Sequence, residues 1–264
     1  MKLGFIGCGN MAKAMLGGII KNNIIANNDI ISSDLNQTSL EIAKNTLGIK
    51  VTTDNKEVVK QSDIIVLSIK PQFYGSVINE IKDLIKENQI IITIAPGQTL
   101  DGLKTAFGRE LKIVRTMPNT PALVGEGITA LCYNENVREE EVELVASILA
   151  GFGKVEVVTE NLMDAVVGVS GSSPAYVFMF IEALADGAVA AGMPRGKAYT
   201  FAAQAILGSA KMVLETGKHP GELKDMVCSP GGTTIEAVRI LEKEGFRSSV
   251  MEAVKVCIDK ARSM

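Results

Sequence analysis

The sequence is poor in the residues that acid–base and metal sites most often need. Its only histidine, His219, lies between Lys218 and Pro220, a position that favours a turn over a catalytic base. A Ser-His-Asp arrangement and a histidine-rich metal site are therefore excluded. The cysteines are far apart and include no CxxC pair; they are Cys8, Cys132, Cys228 and Cys257. This spacing predicts buried free thiols, with neither a disulfide framework nor a bound metal.

A strong charge of one sign and a long uncharged apolar run are also absent. Lys plus Arg number 27 and Asp plus Glu 30, so the net charge of -3 offers no broad basic field to nucleic acid or anionic lipid. The most apolar stretch, residues 162–191, carries three carboxylates, which argues against a membrane span. The first six residues lead directly into glycines and not into signal-peptide regions, so we expect a cytoplasmic protein. A content of 47% hydrophobic and 22% charged residues, with only 8 prolines, excludes a disordered or collagen-like chain.

Residues 1–158 alternate short β-branched runs with amphipathic stretches, which is the pattern of βαβ units and a parallel sheet. The predicted strands are Leu3–Ile6, Ile30–Ser32, Ile49–Thr52, Ile64–Ile69, Ile90–Ile94, Lys112–Arg115, Ile128–Cys132 and Lys154–Val157. The fourth and fifth are apolar without alternation, as strands covered on both faces are. We therefore expect them in the middle of the sheet.

Helical periods replace the strands in residues 159–264. The stretch Pro174–Ala191 predicts a helix that is apolar nearly all round, with Glu182 and Asp186 sharing one narrow face. Such a helix must be surrounded by protein. A helical region of roughly 100 residues is too small to cover it completely within one chain. We therefore infer that a second subunit packs against it, so that the protein is at least a homodimer. Further helices are predicted at Gly196–Thr216, Pro220–Val227, Thr233–Glu244 and from Arg247 onward.

A nucleotide-binding turn is predicted at the start of the chain. Gly7, Gly9 and Ala12 form a GxGxxA motif between the strand Leu3–Ile6 and the helix-like run Met11–Ile20. Gly7 allows the tight turn, Gly9 lets the main chain approach a pyrophosphate, and the small Ala12 lets the helix pack against the strand. Free N–H groups at the helix start then bind the phosphates. This context predicts dinucleotide binding, the alternative being a generic strand-to-helix turn. Because the only histidine is predicted in a turn, a hydride transfer that needs little acid–base help fits better.

The residues after the second strand are ambiguous about the choice between NAD and NADP. The side chains of Ser32, Ser33 and Asn36 could hydrogen-bond a 2′-phosphate. Asp34 could accept a hydrogen bond from an unphosphorylated 2′-hydroxyl and would repel the phosphate, and no arginine is present. The remaining alternative is that this segment only caps the following helix.

Other candidate site residues follow later strands or open helices. Lys70 could pair with a phosphate or be a solvated lysine, and Asn119 could bind a carboxamide or only form a turn. The segments Val169–Tyr176 and Cys228–Thr234 are small and polar, and each opens a predicted helix. They could hold a small carboxylate through N–H groups and hydroxyls, the alternative being plain helix capping.

The chain resembles the pyrroline-5-carboxylate reductases over nearly its whole length. The resemblance rests on six motifs, which are Gly-Phe-Ile-Gly-Cys-Gly-Asn-Met-Ala at 4–12, Ile-Lys-Pro at 69–71, Met-Pro-Asn-Thr-Pro at 117–121, Ser-Gly-Ser-Ser-Pro-Ala-Tyr at 170–176, Gly-Met-Pro-Arg at 192–195 and His-Pro-Gly-Glu-Leu-Lys-Asp through Ser-Pro-Gly-Gly-Thr-Thr at 219–234. It implies an α/β fold in which a mostly parallel Rossmann-type sheet, residues 1–158, precedes an all-α substrate-binding and dimerisation domain, residues 159–264. It also implies hydride transfer from NAD(P)H to the C=N bond of 1-pyrroline-5-carboxylate, giving L-proline in the last step of proline biosynthesis.

The residue reasoning and the resemblance together assign a site. The cofactor-binding residues are Ile6, Gly7, Cys8, Gly9, Asn10, Met11, Ser33, Asp34, Asn55, Ser68, Ile69, Lys70, Pro71 and Asn119. The substrate-binding residues are Ser170, Gly171, Gly232, Thr233 and Thr234. Thr234 is the proposed catalytic residue, as a hydrogen-bond partner of the ring nitrogen, although its hydroxyl is too weak an acid to be the sole proton source.

Two departures from the family pattern bear on these assignments. Ser173 stands where the family often has a second glycine, and the basic residue that many members place after the second strand is missing. The usual cofactor of the family and the hydrogen-bond donors near Ser33 predict a modest preference for NADPH, with NADH possible.

Two other functions remain open at this point. A related 3-hydroxyacid dehydrogenase would need a lysine on the central helix, but Pro174–Ala191 contains none and the nearest downstream is Lys197. A non-catalytic nucleotide sensor would not need two further anion sites at helix starts.

Overall fold

The structure is a computed structural model that describes residues 1–263. Within these residues eight strands form one sheet in the order β3-β2-β1-β4-β5-β6-β7-β8. The strands are β1 (Leu3–Ile6), β2 (Ile30–Ser33), β3 (Lys50–Thr52), β4 (Ile64–Leu67), β5 (Ile90–Thr93), β6 (Lys112–Met117), β7 (Gly127–Tyr133) and β8 (Gly153–Val157). Neighbouring strands are parallel except β6 and β7, which are antiparallel. The predicted mostly parallel sheet is therefore confirmed, and so is the central place of β4 and β5.

Helices connect the strands and make up the rest of the chain. They are α1 (Asn10–Lys21), α2 (Gln37–Leu47), α3 (Asn55–Gln61), α4 (Tyr74–Ile81), α5 (Leu100–Phe107), α6 (Glu139–Leu149), α7 (Met163–Val166), α8 (Ser173–Ala190), α9 (Arg195–Thr216), α10 (Pro220–Val227), α11 (Thr233–Lys243) and α12 (Phe246–Arg262). The predicted helices of the second half all form, with ends that shift by one residue at most except where no end was predicted.

The central strands are buried at every position because helices cover both faces of the sheet. Successive residues of a strand point to opposite faces. Phe5 accordingly belongs to the core on one face, with Val66, while Ile6 belongs to the core on the other, with Leu67. This alternation explains why β-branched runs without a polar face form these strands.

All four cysteines are free thiols. Cys8 and Cys132 are buried, whereas Cys228 and Cys257 are half-buried.

An ion-pair cluster around the buried Arg115 lies where the sheet ends and the helices begin. Arg115 on β6 is 2% exposed and its guanidinium lies 3.0 Å from the Glu160 carboxylate and 3.5 Å from that of Asp164. Glu160 also accepts a hydrogen bond from the backbone N–H of Leu100 at 2.8 Å. Without these two carboxylates the buried charge of Arg115 would be uncompensated, so the cluster holds the segment that leads into α7 against the sheet.

The chain divides into two compact units. One comprises Met1–Ser172 together with the end of the chain from Cys257, and the other comprises Ser173–Val256. The helix α12 therefore begins in the second unit and ends in the first. The boundary between residues 158 and 159 stays a prediction.

The central helix α8 is poorly covered within the single chain. Ala185 is its only buried residue, whereas Phe178 is 63% and Met179 69% exposed. The continuous helical stretch Glu160–Ala190 has a mean hydropathy of 1.3 and is, by length and composition alone, apolar enough to cross a membrane. A helix that packs against a second protein chain has the same composition. The exposure of these large apolar side chains agrees with the subunit contact inferred from the sequence.

Candidate active site

The turn between β1 and α1 has the geometry that a dinucleotide requires. Gly7 has a φ of 98°, and a Cβ there would lie 2.3 Å from the carbonyl oxygen of Ser68, so only glycine fits. At Gly9, the N-cap of α1, a Cβ would meet nothing within 4 Å. The first N–H groups of a helix have no intrahelical partner. Asn10 and Met11, the first residues of α1, therefore direct free donors toward the open space beside Gly9.

A cleft of about 510 Å³ opens at the carboxyl ends of β1, β2 and β4. It is lined by eight of the predicted cofactor residues, namely Ile6, Gly7, Gly9, Asp34, Asn55, Ser68, Ile69 and Lys70. It is also lined by six residues that the site prediction left out, namely Leu35, Asn36, Phe73, Ser76, Val77 and Glu80. The last four recur at intervals of three or four residues and so form one face of the turn and helix that follow Lys70. That spacing could have identified them.

The carboxylate of Asp34 joins the two loops at the rim of this cleft. Its Oδ2 accepts a hydrogen bond from the backbone N–H of Cys8 at 2.7 Å, and its Oδ1 accepts one from the N–H of Asn36 at 2.8 Å. The N–H of Cys8 is thus engaged within the protein and not free for a pyrophosphate, unlike those at the start of α1. Burial raises the pKa of the Cys8 thiol, so this residue stays neutral beneath the turn.

A second network joins β2, α3 and α4 on the same side of the cleft. The hydroxyl of the buried Ser33 donates to Asn55 Oδ1 at 2.7 Å, and Asn55 Nδ2 donates to the Glu80 carboxylate at 2.8 Å. Asn36 is the N-cap of α2 and accepts from the N–H of Ser39 at 3.1 Å. Asn36 therefore caps the following helix, as the alternative interpretation of this segment predicted. The hydroxyl of Ser33 contacts Asn55, which lines the cleft.

Asn119 does not line the cleft but links the end of β6 to the segment before α8. Its Nδ2 donates to the carbonyl of Ser170 at 3.0 Å, and its Oδ1 accepts from the N–H of Ile128 at 2.9 Å. Both ends of the amide are engaged, which supports a structural role in place of the predicted cofactor contact.

Ser170 and Gly171 lie in a π-helical turn, Val167–Gly171, and not at an isolated helix start. The N–H of Ser172 donates to the carbonyl of Val167 at 2.9 Å, and the hydroxyl of Ser170 donates to Val166 at 3.1 Å. The predicted set of free N–H groups at this point is therefore reduced by local helical bonding. Single π-turns inside helices are frequently found at functional sites.

The segment before α11 does form a helix start. Gly231 has a φ of 66°, and Gly232 is the N-cap, where a Cβ would lie 2.5 Å from the Ser229 hydroxyl. Thr233 and Thr234 are the first two residues of the helix. Within residues 1–263 the half-buried Thr234 hydroxyl has no hydrogen-bond partner, so it is available to a ligand.

His219 caps α10 and accepts a hydrogen bond from the N–H of Gly221 at 3.0 Å, as its predicted turn position suggests.

Comparison with known proteins decides the family. A family model described as pyrroline-5-carboxylate reductase dimerisation matches residues 160–264, and one described as NADP oxidoreductase coenzyme F420-dependent matches residues 2–97. The pyrroline-5-carboxylate reductase of Escherichia coli (strain K12) is 51% identical over 263 residues, covering 100% of this chain and 98% of that protein. The chain belongs to the pyrroline-5-carboxylate reductase family.

More distant members agree over their full lengths. The pyrroline-5-carboxylate reductase of Arabidopsis thaliana is 41% identical, with 100% of this chain and 95% of that protein covered. The crystal structure of Plasmodium falciparum pyrroline carboxylate reductase with NADP bound superposes with a TM-score of 0.92 at 36% identity, covering 100% of this chain and 97% of that chain. An archaeal ketol-acid reductoisomerase, at 13% identity and a TM-score of 0.65, shares the fold alone.

Membership in the pyrroline-5-carboxylate reductase family confirms several predictions. The family consists of NAD(P)-dependent oxidoreductases that act on an imine, using NADPH or NADH. The dimerisation match over residues 160–264 confirms the homo-oligomer inferred from the apolar central helix. The Rossmann-type sheet followed by a helical dimerisation domain is likewise confirmed.

Proposed function

We propose that this protein reduces the C=N bond of 1-pyrroline-5-carboxylate with NAD(P)H, giving L-proline, in the cytoplasm. The observation that carries the proposal is the 51% identity to a pyrroline-5-carboxylate reductase over essentially the whole of both chains. The open cleft beside Gly9 supports it physically, because a dinucleotide needs a close approach to the main chain at that point. A 3-hydroxyacid dehydrogenase is disfavoured because α8 carries no lysine.

The residues of the first unit suit a dinucleotide. Asn10 and Met11 would hold the pyrophosphate through their N–H groups, while Asp34 and Asn55 lie at the end of the cleft expected for the adenosine ribose. Ser68–Pro71 would line the path toward the nicotinamide. When bound, the cofactor supplies hydride to the imine carbon. Holding the two reactants in contact supplies much of the rate.

The substrate carboxylate needs an anion site, and the start of α11 offers one. The N–H groups of Thr233 and Thr234 are in the first turn of the helix, where backbone donors have no intrahelical partner. The helix dipole also favours a negative charge there. We assign Gly232, Thr233 and Thr234 to the carboxylate and ring nitrogen, and the substrate role of Ser170 and Gly171 stays a prediction from the family resemblance.

Reduction changes the charge and hydrogen bonding of the ring nitrogen. Hydride adds to the carbon of the C=N bond while the nitrogen takes up one proton, so the product is a secondary amine. The Thr234 hydroxyl hydrogen-bonds this nitrogen, and water supplies the proton.

The experiment that tests the function compares two assays on the purified protein. We expect loss of reduced-nicotinamide absorbance with 1-pyrroline-5-carboxylate, and L-proline in the product. Turnover only with 3-hydroxy acids and oxidised cofactor would refute the proposal, and cofactor binding without turnover in either assay would identify a sensor. Gly9→Val, which fills the space at the turn, should abolish turnover. Gly17→Ala, on the same helix where a Cβ also meets nothing within 4 Å, is the matched control.

A further inference from the structure

Asp34 presents a fixed negative charge at the end of β2, where the ribose of a bound dinucleotide is expected. Each of its two oxygens accepts one backbone N–H, from Cys8 and Asn36, at 2.7 and 2.8 Å. A carboxylate oxygen can accept more than one hydrogen bond. Both oxygens therefore keep capacity for ribose hydroxyl donors, while the two backbone bonds prevent the side chain from turning away.

The side chains that could favour a 2′-phosphate are mostly unavailable. Ser32 and Ser33 are both 0% exposed, and the hydroxyl of Ser33 is already donated to Asn55. Asn36 caps α2 through its side-chain oxygen. Besides the usual cofactor of the family, the modest preference for NADPH depended on these three residues as donors. Of these three residues, only Asn36 lines the cleft.

The charges around the cleft oppose a second phosphate as well. Glu80 also lines it and holds Asn55, so a second carboxylate lies on this side. Lys70 is the only basic residue among those lining the cleft. It follows β4, which flanks β1 on the side opposite to β2. The cation and Asp34 are thus attached to strands on opposite sides of β1.

We propose that Asp34 makes this protein select NADH over NADPH, by accepting ribose hydroxyls and repelling a 2′-phosphate. A phosphate group carries about −1.5 to −2 charges at pH 7, so its approach to a fixed carboxylate in a partly buried cleft is strongly opposed. This inference rests on the proposed function, since it concerns the cofactor of the same reaction.

Binding of cofactor fragments tests the inference without turnover. Titration calorimetry with ADP-ribose and with 2′-phospho-ADP-ribose isolates the 2′ position. We expect the wild-type protein to bind ADP-ribose about tenfold more tightly or better. Asp34→Asn keeps the size of the side chain but removes its charge, and should reduce that ratio by about tenfold. Asp34→Ser serves as a second variant in case the first folds poorly, and circular dichroism checks both.

Glu87→Gln is the matched control, because it removes an exposed carboxylate outside the cleft and should leave the ratio unchanged. Tighter binding of the 2′-phosphorylated fragment by the wild-type protein would overturn the inference, and so would a ratio that neither Asp34 variant alters. Failure of the proposed function is a separate result. It would appear as absence of L-proline formation with both cofactors, whatever the fragment affinities.

Discussion

The side-chain amide of Asn119 donates a hydrogen bond to the backbone carbonyl of Ser170 at 3.0 Å. This bond joins the end of the sixth strand to the π-helical turn that leads into the central helix. The same side chain accepts from the N–H of Ile128, so one residue ties together three segments. Because Asn119 is 8% exposed, water replaces these bonds poorly when they are lost.

Asn119→Ala should therefore weaken substrate turnover more than cofactor binding. We expect kcat/KM for 1-pyrroline-5-carboxylate to fall about tenfold and stability to fall by about 1–3 kcal/mol, because two buried hydrogen bonds are lost. The dissociation constant of the reduced cofactor should stay near the wild-type value, as Asn119 lies outside the cleft. Asn119→Asp keeps the acceptor for Ile128 but not the donor to Ser170, and separates the two bonds. A large loss of cofactor affinity with unchanged kcat/KM would restore the cofactor contact predicted from the sequence.

The fold was largely predictable because its signals are local. Uninterrupted apolar runs such as Ile90–Thr93 identify strands covered on both faces, and Gly7 and Gly9 identify the turn that precedes α1. The details of the site depend instead on long-range contacts. The pairing of Asn55 with Glu80 depends on the positions of α3 and α4, and that of Cys8 with Asp34 on the positions of β1 and β2. The π-helical turn before α8 could not be predicted either, because residues such as Ser170 and Gly171 are also typical of helix starts.

The stability of the protein should fall in acid through Glu141. Burial opposes ionisation of this carboxyl group, but hydrogen bonds from Arg138 and from Lys112, whose Nζ lies 2.5 Å away, lower its pKa from 4.5 to about 2. A pKa below that of the unfolded chain stabilises the fold above pH 4.5, and this contribution is lost as the pH falls from there toward 2. The shift corresponds to roughly 3 kcal/mol at neutral pH.

Urea unfolding of the wild type and of Glu141→Gln measures this contribution. At pH 7 the variant should be less stable by up to roughly 3 kcal/mol, and the difference should shrink steadily between pH 5 and pH 2.5. Glu139→Gln changes an exposed carboxylate in the first turn of the same helix and should have little effect. A difference that does not depend on pH would show that packing, and not charge, accounts for the role of Glu141.

The exposed apolar face of α8 should be a subunit contact in solution. Light scattering should give the wild-type protein at least twice the 28.1 kDa of one chain. Phe178 is 63% exposed in the single chain. Phe178→Glu would bury a charge in the subunit contact, so it should shift the measured mass toward that of one chain. Leu144→Glu, at an exposed apolar position on α6, should leave the assembly intact. A folded and active wild-type monomer would contradict the subunit contact.

Thr234 distinguishes a substrate-binding role from a helix-capping role. Gly232 is the N-cap of α11, and Thr234 is the second residue of the helix with its hydroxyl available. If this hydroxyl hydrogen-bonds the ring nitrogen, Thr234→Ala should lower kcat/KM about 10²-fold, because the bond strengthens as charge changes in the transition state. Thermal stability should change little, since the helix keeps its N-cap.

Thr234→Ser retains the hydroxyl and should stay close to the wild type in both respects. A capping role predicts the opposite pattern for Thr234→Ala, with near-normal kinetics and a loss of about 1 kcal/mol in stability. Steady-state kinetics and thermal unfolding on both variants therefore separate the two roles. Normal turnover with a lowered Tm in the alanine variant would remove Thr234 from the active site and leave the N–H groups of α11 as the binding groups for the carboxylate.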